Sequence, residues 1–271
     1  MKIFKLTLLF CWAFLLCSNV FGLFDDNKIP QKIRDTKFHK IGLNFEDREK
    51  VRNELRELTF NDMNADQVID LNRLFAGSIV HYWPSYNYFH FTENWIIFSL
   101  QRFEILVNSK NKYFGKHERV SWEKVIESGF GLCSQVSIAL YDFLVQKNQK
   151  ASIIGLNGHV VVGASINKES YILDPDYDVV LKGDLSYIQK RPQLIKDAYS
   201  SRGYDEQLVS DIVKLYISTY DNSENTLLEY YPKYVLFYYL TEILKWLLPL
   251  FFIIALAIIT FKREGKSYVV K

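Results

Sequence analysis

Apolar residues run almost unbroken at both ends of the chain and recur periodically between them. Leu6 to Leu16 is nearly all apolar, with Lys2 and Lys5 before it and Val20-Phe21-Gly22 at the cleavage-site positions after it. That pattern predicts a secretory signal peptide over 1–22. Near the other end, Leu247 to Phe261 carries no charge. As helix this stretch rises about 22 Å, short of the roughly 30 Å hydrocarbon core. Extending back to Leu240 completes a predicted transmembrane helix over 240–261, with Pro249 inside it. Glu242 and Lys245 fall near its boundary, and Trp246 and the Tyr-rich 230–239 suit an interfacial belt.

Between the ends the period is first helical. Phe45, Val51, Leu55 and Leu58 make a sparse stripe over 44–58, and Val68, Leu71, Leu74 and Phe75 another over 66–79. The aromatic stretch 81–91, interrupted by Pro84, reads as a loop. Thr92 is placed to cap a helix to about Val107, and Ser121 one through Glu127. Val136, Ala139, Leu140, Phe143 and Leu144 then fall on one helix face. At 151 the period changes. Ala151 to Leu156 and His159 to Ile166 read as strands about an Asn157-Gly158 hairpin turn, and Tyr171 to Leu173 as a third strand after Asn167-Lys168. Helices return near 186–198 and 205–219. Helices followed by a meander predict an α+β domain on an antiparallel sheet.

Charge sets the expected topology. The tail 262–271 carries Lys262, Arg263, Lys266 and Lys271 against Glu264. By the positive-inside rule this basic tail is cytoplasmic, and the intervening domain lies outside. The expected membership is a single-pass membrane protein with an extracytoplasmic domain in the periplasm or at the cell surface. The absence of any Asn-x-Ser/Thr acceptor favours a bacterial envelope. The domain divides into a helical part, 23–119, and a core with its following helices, 120–232. Net charge is +2 from 33 basic and 31 acidic side chains, so no nucleic-acid footprint is visible. Of three cysteines, Cys11 and Cys17 lie in the leader, which leaves Cys133 alone in the domain. Neither a disulfide framework nor a zinc site built on cysteines is expected there, and no cofactor is implied.

The chemistry-bearing residues are few. Cys133 opens a helix after Gly129-Phe130-Gly131, where backbone N–H groups favour a thiolate. His159 opens a strand directly after a turn, placed to serve as base to that thiolate. His81 and His90, in the aromatic stretch, stay open as alternatives. Asp174 ends the next strand. A two-residue loop at Asn167-Lys168 sets Val161 opposite Asp174, so His159 and Asp174 become diagonal neighbours roughly 7–8 Å apart on one face. Asp176 and Asp178 share that parity, and spacing does not choose among the three.

Gly131-Leu132-Cys133 on a helix, His159 starting a strand and Asp174-Pro175 ending the following one resemble the transglutaminase-like superfamily across roughly 120–182. The resemblance implies a papain-like α+β core in which a helix bearing Cys133 packs on an antiparallel sheet bearing His159 and Asp174. It implies Cys133 as nucleophile, His159 as base and Asp174 as orienter. Animal transglutaminases carry Trp directly after the cysteine, whereas Ser134-Gln135 follow here, which points away from a crosslinker and towards microbial thiol hydrolases. The family's oxyanion donor has no motif here, and Trp122 or a backbone N–H near Cys133 are the candidates. The expected function is a membrane-anchored thiol hydrolase of peptidase or amidase type, acting on a protein or peptide substrate. The alternatives are amide transfer by the same triad and a non-catalytic binding module using the same cleft. Membrane lipid around the C-terminal helix is the other expected partner.

Overall fold

The structure is a computed structural model and describes residues 2–24, 47–61, 63–81, 89–107, 114, 117–218 and 222–267. His39, the entry of the first predicted soluble helix (44–46), most of the aromatic stretch (82–88) and the last four residues lie outside the described residues. The chain divides into two compact units, one of Met1–Asp26, Ser85–His117 and Leu236–Lys271, the other of Asn27–Pro84 and Glu118–Val235.

The larger unit is a mixed α+β body. Its helices are α2 (Arg48–Glu57) and α3 (Ala65–Ser78), α5 (Trp122–Ser128), α6 (Cys133–Gln146), then α7 (Leu185–Gln189), α8 (Pro192–Ser201), α9 (Glu206–Ile217) and the short α10 (Leu227–Tyr230). Its strands are β1 (Val80–His81), β2 (Phe130–Gly131), β3 (Lys150–Gly155), β4 (Val160–Ile166), β5 (Glu169–Asp174), β6 (Val179–Lys182) and β7 (Glu224–Asn225). Five form an antiparallel sheet in the order β6-β5-β4-β3-β7, and β1 pairs parallel with β2. The last two strands of the sheet and the β1–β2 pair were not legible as strands, because two to four residues carry too little alternation.

Turn chemistry sets the register. Asn157 and Gly158 both take positive φ between β3 and β4, as do Asn167 and Lys168 between β4 and β5. Two residues at positive φ make the hairpin turn whose twist matches the flanking strands. Val162 stands opposite Leu173, so the second loop has the two-residue length read from the sequence. One sheet face, with Ile154, Val161, Ile172, Val179 and Leu181, is buried under α7, α8 and α9. The other buries Ile153, Val160, Val162 and Leu173, with α6 lying against β3 and β4. Phe143 of α6 meets Phe75, Phe60 and Trp122 at centroid distances of 5.3 to 6.0 Å, so α3 and α5 complete this outer layer.

Two caps differ from expectation. Ser121 sits at the N-cap of α5 but makes no capping bond; Asp142 Oδ2 accepts from the Trp122 N–H at 2.9 Å instead. In the smaller unit the helix α4 (Trp95–Leu106) is capped by Asn94, which accepts from the Ile97 N–H, rather than by Thr92. Thr92 lies in the turn before it.

The smaller unit also contains α1 (Lys2–Phe21) and most of α11 (Pro232–Ser267). Both have stretches long and apolar enough to cross a membrane, Ile3–Phe21 and Pro232–Thr260. The two run antiparallel: Trp12 stacks on Phe252 at 4.4 Å, and Asn19 Nδ2 donates to the Lys245 carbonyl at 2.6 Å. That carbonyl lies four residues before Pro249, which has no N–H to give it. Trp95 Nε1 also donates to it, at 3.3 Å. Pro249 therefore sits within a continuous helix because side chains from two other helices satisfy the group it leaves open.

Candidate active site

The site lies within the larger unit, where α6 and β4 begin and β5 ends. Cys133 is the first residue of α6, is half-buried and carries a free thiol. Two side chains of α6 set its place. Ser137 Oγ donates to the Val160 carbonyl at 2.8 Å, which ties α6 to the start of β4. Gln135 exchanges two bonds with the Arg119 backbone, at 2.8 and 2.9 Å. Gly131 lies so close that a Cβ there would stand 2.5 Å from Gln135 Cβ. Leu132, the N-cap, offers no side-chain acceptor to the first-turn N–H groups. They face the end of the helix from which Cys133 projects, and an anion there would be stabilised.

His159 is buried directly before β4. Its Nε2 lies 2.7 Å from Asp174 Oδ2, and a ring nitrogen lies within 4.8 Å of the Cys133 sulfur. Burial works against the charged imidazolium, but the Asp174 carboxylate and the Cys133 side chain outweigh it and hold His159 well above the ordinary histidine range. The Tyr177 ring meets the imidazole edge-on at 5.3 Å.

The structure separates the three aspartates that parity left equal. Asp174 takes the histidine. Its Oδ2 also accepts from the Tyr199 hydroxyl at 2.5 Å, and its Oδ1 accepts from the backbone N–H groups of Asp176 and Tyr177. With donors on both oxygens, the carboxylate is fixed in place. Asp176 is fully buried and approaches from the other side: a carboxylate oxygen, the Cys133 sulfur and a His159 nitrogen lie within 4.8 Å of one another. Its Oδ1 meets His81 Nδ1 at 2.7 Å. Asp178 faces away. Its carboxylate pairs with Arg202 and Arg73 and accepts from Asn72 at 3.3 Å, so it anchors the loop that carries the other two.

Of the alternative histidines, His81 thus reaches the site through Asp176. Its position is set by β1–β2 pairing, which puts it opposite Gly131. His90 belongs to the other unit. Trp122 is not available as an oxyanion donor: its Nε1 donates to Gln146 Oε1 at 3.1 Å. Gln146 ends α6, roughly 20 Å along the helix from Cys133. The backbone N–H groups at the start of α6 remain as donors.

Next to Cys133 in the chain, the Ser134 hydroxyl donates a hydrogen bond to Glu118. Burial pushes its carboxyl up to about 7, with the Ser134 bond opposing. Tyr230 and Tyr231 are raised mainly by burial, with Glu118 and Cys133 both contributing, so both phenols lie near these two groups. Nothing in the sequence pattern marks Tyr199, Glu118 or the Asp176–His81 pair, because each arrives from an element remote in the chain.

Cys133, His159 and Asp176 are the described residues with a donor set suited to a metal ion. No protein-family model, curated protein or solved structure matches the chain.

Proposed function

We propose that the chain is a membrane-anchored, outward-facing thiol hydrolase with a papain-like catalytic arrangement, acting on amide or peptide bonds. The observation that carries this reading is the placement of His159 between two partners, with Nε2 2.7 Å from Asp174 Oδ2 and a ring nitrogen within 4.8 Å of the Cys133 sulfur. A nucleophile, a base and an orienter in that order are what acyl transfer through a thiol requires.

In the proposed reaction the Cys133 sulfur attacks the substrate carbonyl carbon. The oxygen takes up the electron pair and is held by first-turn N–H groups of α6. The proton on His159 passes to the leaving nitrogen, the C–N bond breaks and a thioester remains on Cys133. Water then attacks, gives a proton to His159, and the sulfur leaves with the bond pair. Asp174 keeps the imidazole in one tautomer throughout, as its two oxygens are themselves held. Amine in place of water would give amide transfer by the same steps.

The basic tail supports the topology. Because α1 and α11 run antiparallel, the sequence end bearing Lys2 and Lys5 and the end bearing Lys262 and Arg263 come to one side, taken here as cytoplasmic.

The test uses the full chain in detergent, with Cys11 and Cys17 changed to serine. A peptide aldehyde or activated amide probe should add one adduct, mapped to Cys133 by intact mass and peptide digestion. Cys133→Ala should take none. An unreactive folded protein, or an adduct independent of Cys133, would overturn the reading.

A further inference from the structure

We propose that Cys133, His159 and Asp176 form a binding site for a divalent cation of the zinc class, whose occupation switches the thiol off. The inhibitory consequence rests on the proposed thiol chemistry; the binding itself does not. One sulfur, one nitrogen and one carboxylate oxygen already lie within 4.8 Å of one another. Metal–ligand distances of about 2.0–2.3 Å in a tetrahedron put such atoms roughly 3.3–3.7 Å apart, so each ligand moves by about an ångström at most. A lone cysteine cannot build a multi-cysteine site, but one thiolate with an imidazole and a carboxylate gives the mixed set of an open zinc site with a fourth position free. Sulfur and nitrogen donors select against calcium and magnesium.

The outer shell strengthens the assignment. The His159 nitrogen remote from the cluster is bonded to Asp174, the carboxylate–histidine arrangement that orients a metal-bound imidazole. Asp176 in turn is bonded to His81. Both non-sulfur ligands thus have a second partner fixing their direction. A metal on the Cys133 sulfur occupies the electron pair needed for attack, so binding and acylation exclude each other.

The test is titration of the chelator-treated full chain, in the Cys11→Ser/Cys17→Ser background, with cobalt(II). One equivalent should produce a thiolate-to-cobalt charge-transfer band, and zinc should displace it. Cys133→Ser should abolish the band. Asp176→Asn and Asp174→Asn should each weaken binding 10-fold or more, with melting temperature confirming that the variants fold. Absence of the band, or its persistence in Cys133→Ser, overturns the site. Probe labelling with and without saturating zinc separates the two proposals. A band without labelling of the metal-free chain leaves the site standing and removes the hydrolase. Labelling unaffected by zinc removes the switch.

A different observation carries a second inference. We infer that α1 is retained in the mature protein as the partner of α11, rather than removed as a leader. Asn19 is 2% exposed and fills the carbonyl that Pro249 leaves open. Gly22 approaches the Thr92 carbonyl so closely that a Cβ would stand 1.9 Å from its oxygen. These fitted contacts stand on either side of the exposed Val20 and Phe21. Peptide mapping of the membrane-extracted chain should recover residues 1–22 still joined to the domain. Asn19→Leu should lower its melting temperature. A folded chain beginning after residue 22, or an Asn19→Leu chain with unchanged melting, overturns the inference.

Discussion

The Tyr199 hydroxyl donates to Asp174 Oδ2 at 2.5 Å, the same oxygen that His159 Nε2 meets at 2.7 Å. Tyr199 is fully buried and its phenol is held well above the ordinary tyrosine range by burial first and Asp174 second, so it stays a donor at any working pH. Tyr199→Phe removes one of the donors that fix the carboxylate. The expected outcome is a loss of about 1–3 kcal/mol in stability, as for a hydrogen bond to a charged group, read by denaturant melts. Probe acylation should slow while the adduct remains on Cys133.

The triad members should not be equivalent. Cys133→Ala should abolish acylation, whereas Asp174→Asn should leave measurable labelling, reduced on the order of 10⁴-fold if a wrong tautomer is the main defect. Single-turnover labelling rates would check this. Equal and total loss in both variants, with both folded, would contradict an orienting role.

Glu118 makes stability depend on pH. Its carboxyl titrates at about 7 in the folded chain against an ordinary 4.5. Below pH 4.5 both states are protonated and no difference arises. Between 4.5 and 7 the unfolded chain ionises and the folded one resists, so stability falls as pH rises through this window. The loss amounts to at most roughly 3 kcal/mol. Glu118→Gln keeps an acceptor for Ser134 and removes the ionisation. It should match the parent at pH 4 and melt higher at pH 8. A pH-independent difference would exclude this origin.

Arg202 should matter more than an ordinary surface arginine. It pairs with the buried carboxylate of Asp178, and its Nε donates to the Asp178 carbonyl at 2.6 Å. Arg202→Ala leaves the buried Asp178 carboxylate only Arg73 at 3.5 Å and Asn72 at 3.3 Å, at a cost of about 1–3 kcal/mol. The loop 174–178 carries Asp174 and Asp176, so acylation should fall as well. Arg202→Lys should restore stability only in part, because it retains the charge and loses the fork.

What was legible in the sequence follows from how local each signal is. The helix opened by Cys133, the turn at Asn157-Gly158 and the two-residue loop at Asn167-Lys168 are set by adjacent residues, and the structure has all three. Together they bring Cys133, His159 and Asp174 to one place. What separates Asp174 from Asp176 and Asp178 comes from Tyr199, His81, Arg202 and Asn72, distributed over 130 positions of chain. No local period records such contacts. Trp122 was a reasonable oxyanion candidate by its place before the cysteine, but a helix of fourteen residues carries its partner Gln146 to the opposite end.

The Asn19–Lys245 bond also imposes an order on manufacture. Asn19 leaves the ribosome near the beginning and Pro249 near the end of synthesis. At 5–20 residues per second the interval is roughly 10–50 s. Throughout it, the first helix has no mate, and a peptidase that recognises Val20-Phe21-Gly22 has its best access. Once α11 inserts, Asn19 is engaged and Gly22 is pressed against Thr92. Retention of the amino end therefore requires that pairing outrun any cleavage in this interval, and slowing translation of the middle of the chain would work against it.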